Sequence, residues 1–180
     1  SGTLTQPTAT GNQTSASLGF TPKLVIFFAV QLTAVGSGVN SVAMHGFAAS
    51  STGRFVTTLR GDDAQLVSAV ASRNDDSKCV QMIDTAGTVL CAADFVSMNA
   101  DDFTINWTTV DANQRLIGFL ALGGTDITNI KVGTFAKATG TGNNAITGVG
   151  FQPDLMLFGC GTVDTVWPST NTNAVARLTL

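Results

Sequence analysis

The residues that could do chemistry are few in this chain of 180 residues. It contains one histidine, His45, three cysteines and twelve acidic residues, and the acidic residues are all aspartate. A catalytic triad needs a histidine between a nucleophile and a carboxylate, but His45 stands in the run VAMHGFA, and the chain contains no recognisable nucleophile motif. We therefore interpret His45 as a structural residue, and we predict no catalytic residue, no cofactor and no enzyme activity.

Half of the aspartates occur as adjacent pairs in expected turns. Clustered carboxylates can bind calcium, but aspartate is also a common turn residue because its side chain bonds nearby backbone groups. No EF-hand or repeated calcium-binding pattern is present, so we interpret the pairs as turn formers and predict no metal site. The pairs are Asp62–Asp63, Asp75–Asp76 and Asp101–Asp102.

The segment between Cys79 and Cys91, VQMIDTAGTVL, has the pattern of a β-hairpin. A turn centred near Thr85 would place the two cysteines almost opposite each other on neighbouring strands. Two alternatives are then open: a Cys79–Cys91 disulfide, which needs that close approach, or two small buried thiols, which we favour. Cys160 has no partner in either case.

The two tryptophans are the residues to examine for a sugar-binding surface. Trp107 lies on the apolar face of a predicted strand, so we expect it in the core. Trp167 precedes a proline and is flanked by polar residues, which makes it the candidate ligand contact.

The composition limits the partners. Hydrophobic residues make up 44% of the chain and charged residues only 12%, about half of the roughly 25% that is usual. The net charge is −3, and the nine basic residues form no patch that would bind nucleic acid. The longest apolar run, residues 24–30, is far shorter than a membrane-spanning helix. We expect neither nucleic acid nor membrane as a partner.

The fold class follows from many short β-branched and aromatic runs separated by turn residues. Residues 102–109 alternate clearly, with Phe103, Ile105 and Trp107 on one face, whereas 24–30 and 116–122 are apolar on both faces and belong at sheet centres. We predict an all-β, antiparallel, jelly-roll-like β-sandwich. The predicted strands are 24–31, 41–49, 54–60, 65–72, 78–84, 87–93, 102–109, 114–122, 127–136, 154–160 and 174–180.

An internal repeat occurs at an offset of 131 residues. Residues 8–27 and 139–158 are identical at nine of twenty positions, and both contain the pattern GF-x-P. We predict one unit over 1–130. Residues 131–180 are either the start of a second related unit or strands that complete the first unit by pseudo-symmetry. The identical positions are Thr8/Thr139, Thr10/Thr141, Gly11/Gly142, Asn12/Asn143, Gly19/Gly150, Phe20/Phe151, Pro22/Pro153, Leu24/Leu155 and Phe27/Phe158.

Three segments resemble a group of bacteriophage structural proteins with tandem β-rich units. They are GFTPK with its repeat GFQPD, ADFVSMNADDFTINWTT (93–109) and IGFLALGGTDI (117–127), where Phe119 stands at a position that is often tyrosine in that group. The resemblance covers most of 1–160 and transfers no catalytic residue. It implies a virion component that contacts other copies of itself and other virion proteins.

Two functions are therefore expected, in order. The first is a non-enzymatic structural protein of a phage particle, either a head decoration or cement protein or a tail or fibre component. The alternative is a carbohydrate- or receptor-binding β-sandwich module on a phage tail or a bacterial surface, with a host-surface glycan as its partner. The corresponding locations are the virion or the extracellular space.

Overall fold

The chain folds into short strands joined by turns and extended segments. The computed structural model describes residues 1–64, 69–161 and 176–179, and within these ranges every regular element is a strand. The body of the fold consists of β1 (Gly2–Thr5), β2 (Gly11–Thr14), β3 (Pro22–Ala29), β4 (Ser41–Ala48), β5 (Arg54–Gly61), β6 (Val70–Asp75), β7 (Val80–Ile83), β8 (Val89–Met98), β9 (Phe103–Thr109) and β10 (Leu116–Gly123). Two short strands follow, β11 (Phe158–Gly161) and β12 (Ala176–Thr179).

The first ten strands form two antiparallel sheets. One sheet has six strands in the order β1-β10-β3-β4-β5-β6, and the other has four in the order β2-β9-β8-β7. Buried apolar side chains from both sheets belong to one hydrophobic core. The predicted all-β antiparallel sandwich is confirmed.

The connections keep most consecutive strands in the same sheet. β3 to β6 form one meander and β7 to β9 form a second, after which β10 returns to lie between β1 and β3. This return resembles the closing step of a Greek key.

The core is built by alternation along the strands. Phe103, Ile105 and Trp107 on β9 are buried, whereas Thr108 is exposed. The face predicted from the sequence is therefore the face that packs on the six-stranded sheet. Trp107 is a core residue, as expected, and its indole Nε1 donates a hydrogen bond of 2.7 Å to Gln13 Oε1 on β2.

Aromatic rings join the two sheets at the centre of the core. The ring of Phe103 meets Phe27 on β3 and Phe119 on β10 edge-to-face, with centroids 5.6 Å and 5.0 Å apart. It also stacks on Phe95 of β8 at 6.2 Å. Such offset and edge-to-face pairs stabilise a core beyond the area that they bury.

The β7–β8 hairpin corrects the predicted cysteine register. The amide of Asp84 donates a 3.0 Å hydrogen bond to the carbonyl of Thr88 across the turn, so the turn is centred at Ala86 rather than near Thr85. An irregularity next to Met82 shifts the register by one further residue, and Cys91 lies opposite Met82 rather than Cys79. Both cysteines are buried free thiols. The disulfide alternative is therefore wrong, and the buried-thiol alternative agrees with the structure.

Residues 131–161, which we call the repeat segment, contain a single strand, β11. It pairs only with β12, so neither sheet of the sandwich gains a strand from it within the described residues. The predicted strand over 127–136 is not formed. A Cβ built on Gly159 would lie 3.4 Å from the Phe47 ring and 3.5 Å from Thr57 Cγ2. Both side chains point away from the core, so β11 lies on the outer face of the six-stranded sheet.

Candidate functional site

His45 lies on that outer face, on β4. Its ring meets Phe28 edge-to-face with centroids 6.0 Å apart, and Thr57 lies opposite it on β5. Burial lowers the pKa of His45, so the ring is neutral at pH 7. In a triad a carboxylate accepts a hydrogen bond from Nδ1 of the histidine. Here neither His45 Nδ1 nor the buried Thr57 Oγ1 has a hydrogen-bond partner among the described residues.

Beside His45, residues 30–40 form an exposed apolar loop, which we call the valine loop. The exposed fraction is 93% for Val35 and 85% for Val39. Two open clefts, of about 350 and 380 Å³, lie along the loop, and His45 lines the first of them. Apart from His45, the lining side chains carry no ionisable group. This combination of exposed valines and uncharged clefts is suited to contact with another apolar surface.

Charged residues fix the base of the valine loop. Gln31 has a φ of 60°, which is uncommon for a residue other than glycine. Its Oε1 accepts a 2.6 Å hydrogen bond from Arg60, and its carbonyl accepts one of 2.7 Å from Arg115. Arg60 and Arg115 in turn pair with Asp62 at 2.7 Å and Asp111 at 3.0 Å. The first residues of the loop are therefore held in place on the sandwich by these hydrogen bonds.

The sequence analysis missed this surface. The partners of Gln31 lie 29 and 84 residues away along the chain, so no local pattern reveals them. One signal was present: Val35-Gly-Ser-Gly-Val39 places two large apolar residues in a glycine-rich turn, where no strand or helix could bury them.

Asp63 and Asp75 bond their own turns, as predicted, whereas Asp101 bonds Ser17, which is 84 residues away along the chain. Asp75 Oδ1 accepts from the amide and the hydroxyl of Ser77 at 2.9 and 2.6 Å, and Asp101 accepts from Ser17 at 2.7 Å. Asp63 Oδ1 accepts from the amide of Ala64. Over residues 1–64, 69–161 and 176–179, no three histidine, cysteine or aspartate side chains come together as a metal-binding group.

Trp167, the predicted ligand contact, lies outside the described residues. Its role as a ligand contact stays a prediction.

The repeat segment exposes apolar side chains as well. Phe135, Leu155, Met156 and Phe158 are 50%, 68%, 53% and 38% exposed. Leu120 on β10, expected to be covered on both faces of its sheet, is 38% exposed on the outer face. The described part of the chain thus carries apolar surface on the valine loop, on the outer sheet face and on the repeat segment.

Comparison with known proteins finds no relative. The chain matches no protein-family model, no curated protein and no solved structure. No helix in the described ranges is long and apolar enough to span a membrane.

Proposed function

We propose that this chain is a non-enzymatic structural component of a bacteriophage particle, as a head decoration or cement protein or as part of a tail or fibre. It acts through the packing of its sandwich and through contacts with other copies and other virion proteins. The observation that carries the proposal is the uncovered apolar surface of the valine loop and the repeat segment. Apolar surface of this kind marks a place where another protein binds.

The resemblance to phage structural proteins supports the same proposal. Its segments fall on β3, on β8 with β9, and on β10. They supply three rings, Phe95, Phe103 and Phe119, of the aromatic cluster that joins the sheets. Motifs of this kind specify a stable sandwich, so they support a role in construction rather than in chemistry.

Immunogold electron microscopy tests the proposal. Antibodies raised against the purified chain are applied to phage particles from the culture that produces it, with antibody pre-absorbed on the chain as control. We expect labels at regular positions on each particle, and several copies of the chain per particle by quantitative mass spectrometry. Finding the chain only in the particle-free fraction would overturn the proposal.

The second candidate function is a carbohydrate- or receptor-binding module. The open cleft beside His45, with the unpartnered His45 Nδ1 near its wall, is the observation that favours it. Glycan-array binding of the wild type, His45→Ala and Trp167→Ala separates the candidates. Binding that either substitution removes without loss of fold supports the module, and no binding by the wild type contradicts it.

A further inference from the structure

The repeat segment carries side chains of a kind that the first unit buries. At the offset of 131, Met156 corresponds to Val25 and Phe158 to Phe27, and these counterparts are 0% exposed. Phe135 corresponds to Leu4, which is also a core residue. The same class of residue is thus buried in the first copy of the repeat and exposed in the second.

The backbone φ angles are also similar at corresponding glycines in the two copies of the repeat. Gly142 and Gly150 have φ values of 133° and 86°, and their counterparts Gly11 and Gly19 have 135° and 75°. Gly133 corresponds to Gly2, where a Cβ would lie 2.6 Å from the ring of Phe119. The repeat segment therefore keeps the turns of β1–β3, but the described residues place no β9 or β10 beside it to cover its apolar side chains.

The valine loop and the repeat segment do not cover each other within one molecule. Val35 is 93% exposed and Leu155 is 68% exposed in the same structure. Both surfaces are nevertheless attached to the outer face of the six-stranded sheet, the loop beside His45 and β11 over Phe47 and Thr57. A second molecule that approaches this face meets both surfaces at once.

The two surfaces match in charge. Residues 30–40 contain no charged residue, and the repeat segment contains only Lys131, Lys137 and Asp154. Placing one against the other removes apolar area from water, and the loop side of the contact contributes no charge. One chain thus provides both halves of an apolar contact, which is what self-assembly of identical subunits requires.

We propose that the valine loop of one copy packs against the repeat segment of a second copy of this chain. This contact rests on the proposed function, because it is the means by which copies of a structural component assemble. Val35 enters between the exposed side chains of the partner's segment, and that segment covers the clefts along the loop. The chain then associates with itself through two different surfaces.

Sedimentation velocity on the full chain tests the contact with three substitutions of one kind. Val35→Asp changes the loop, Leu155→Asp changes the repeat segment, and Val96→Asp is the matched control. Val96 is also exposed and apolar, but lies on β8 of the other sheet. All three sites are exposed, so thermal melts should show folded proteins. We expect Val35→Asp and Leu155→Asp each to raise the Kd of self-association at least about tenfold, and Val96→Asp to leave it unchanged.

Mixing the two impaired variants decides whether the loop binds the segment. Val35→Asp keeps an intact repeat segment and Leu155→Asp keeps an intact loop, so a 1:1 mixture contains one good pair of surfaces. We expect the mixture to associate where each variant alone does not. A wild type that stays monomeric up to about 0.5 mM, well above a micromolar Kd, would overturn the contact. So would a mixture that fails to associate, or an equal effect of Val96→Asp.

The outcomes keep the two proposals apart. A chain that labels phage particles but does not self-associate in solution would overturn the contact and leave the proposed function intact. A chain that self-associates through these surfaces but is absent from particles would overturn the proposed function alone.

Discussion

Gly46 lies on β4 where the start of β7 passes over the six-stranded sheet. A Cβ at this position would lie 1.8 Å from the carbonyl oxygen of Cys79, and the atom in the way is backbone. Backbone cannot rotate aside as a flexible side chain can. We therefore expect Gly46→Ala to lower the free energy of unfolding by at least about 2 kcal/mol, because the two sheets must move apart. Urea denaturation monitored by tryptophan fluorescence measures the free energy of unfolding of the wild type and of the variant.

The matched control for Gly46 is Gly61, which lies on the neighbouring strand β5. A Cβ there would lie 3.5 Å from Val70 Cγ1 and 4.0 Å from the carbonyl oxygen of Ala69, and both are ordinary contacts. Gly61→Ala should change the free energy of unfolding by no more than about 0.5 kcal/mol. Equal effects of the two substitutions would show that the close approach of β4 and β7 does not require glycine.

His45 should make stability depend on pH between about 5 and 7, since its unperturbed pKa is near 6.5. Burial lowers the pKa in the folded state, so the unfolded chain binds more protons in this range. The contribution of a neutral His45 to stability is fully present above the pKa of this residue in the unfolded chain. It falls as the pH drops towards the pKa of His45 in the folded protein. We expect wild-type protein to lose more stability from pH 7.5 to 5.5 than His45→Leu does, in urea denaturation series at each pH.

The aspartates affect the pH dependence of stability at a lower pH, which separates their effect from that of His45. Hydrogen bonds and arginine partners hold the pKa of Asp75 and Asp111 below the ordinary value of 3.8. Their contribution is present above that value and is lost only as the pH falls below it. His45→Leu protein that shows the full wild-type dependence between pH 7.5 and 5.5 would contradict the assignment to His45.

At the scale of elements, the thiols of the β7–β8 hairpin report its register. Burial raises the pKa of Cys79, and it raises the pKa of Cys91 to about 12, so neither forms a reactive thiolate at pH 8. In Cys160→Ser protein, we expect Ellman's reagent to detect no thiol in the native state and two after unfolding in guanidinium. Absence of thiols after unfolding without reductant would instead indicate a Cys79–Cys91 disulfide and a different register.

Elements with a strong local pattern were predictable from the sequence. The strands β3, β4, β5, β9 and β10 fall within a few residues of their predicted bounds. The alternation of Phe103, Ile105 and Trp107 identified the core face, because a side-chain period of two leaves only one face to bury.

Elements that exist only through distant partners were not predictable. β1 and β2 are short and mostly polar, and they become strands because they pair with β10 and β9 about a hundred residues away. Residues 127–136 are the opposite case. The run ITNIKV has strand propensity, but it pairs with no described strand. The valine loop was missed for the same reason, since its anchors Arg60 and Arg115 are remote in sequence.

At the scale of the whole molecule, the core and the repeat segment should behave as separate units. Among the residues whose burial is described, those of the core lie between Leu4 and Ala121, and none of residues 131–159 belongs to it. The segment contacts the outer face of the six-stranded sheet, where Gly159 lies over Phe47 and Thr57, and not the core between the two sheets. Loss of the segment should therefore leave the sandwich folded.

Limited trypsin digestion tests this separation directly. Lys131 and Lys137 are exposed and lie outside any strand, so a protease can bind the extended backbone there without unfolding the core. Most basic residues of the sandwich, such as Arg60 and Arg73, lie within paired strands. We expect mass spectrometry to find early fragments that begin at Ser1 and end at Lys131 or Lys137. The double variant Lys131→Gln, Lys137→Gln should not give these fragments and should be digested more slowly. First cuts between residues 22 and 123 in wild-type protein would show that the sandwich opens before the repeat segment is cut.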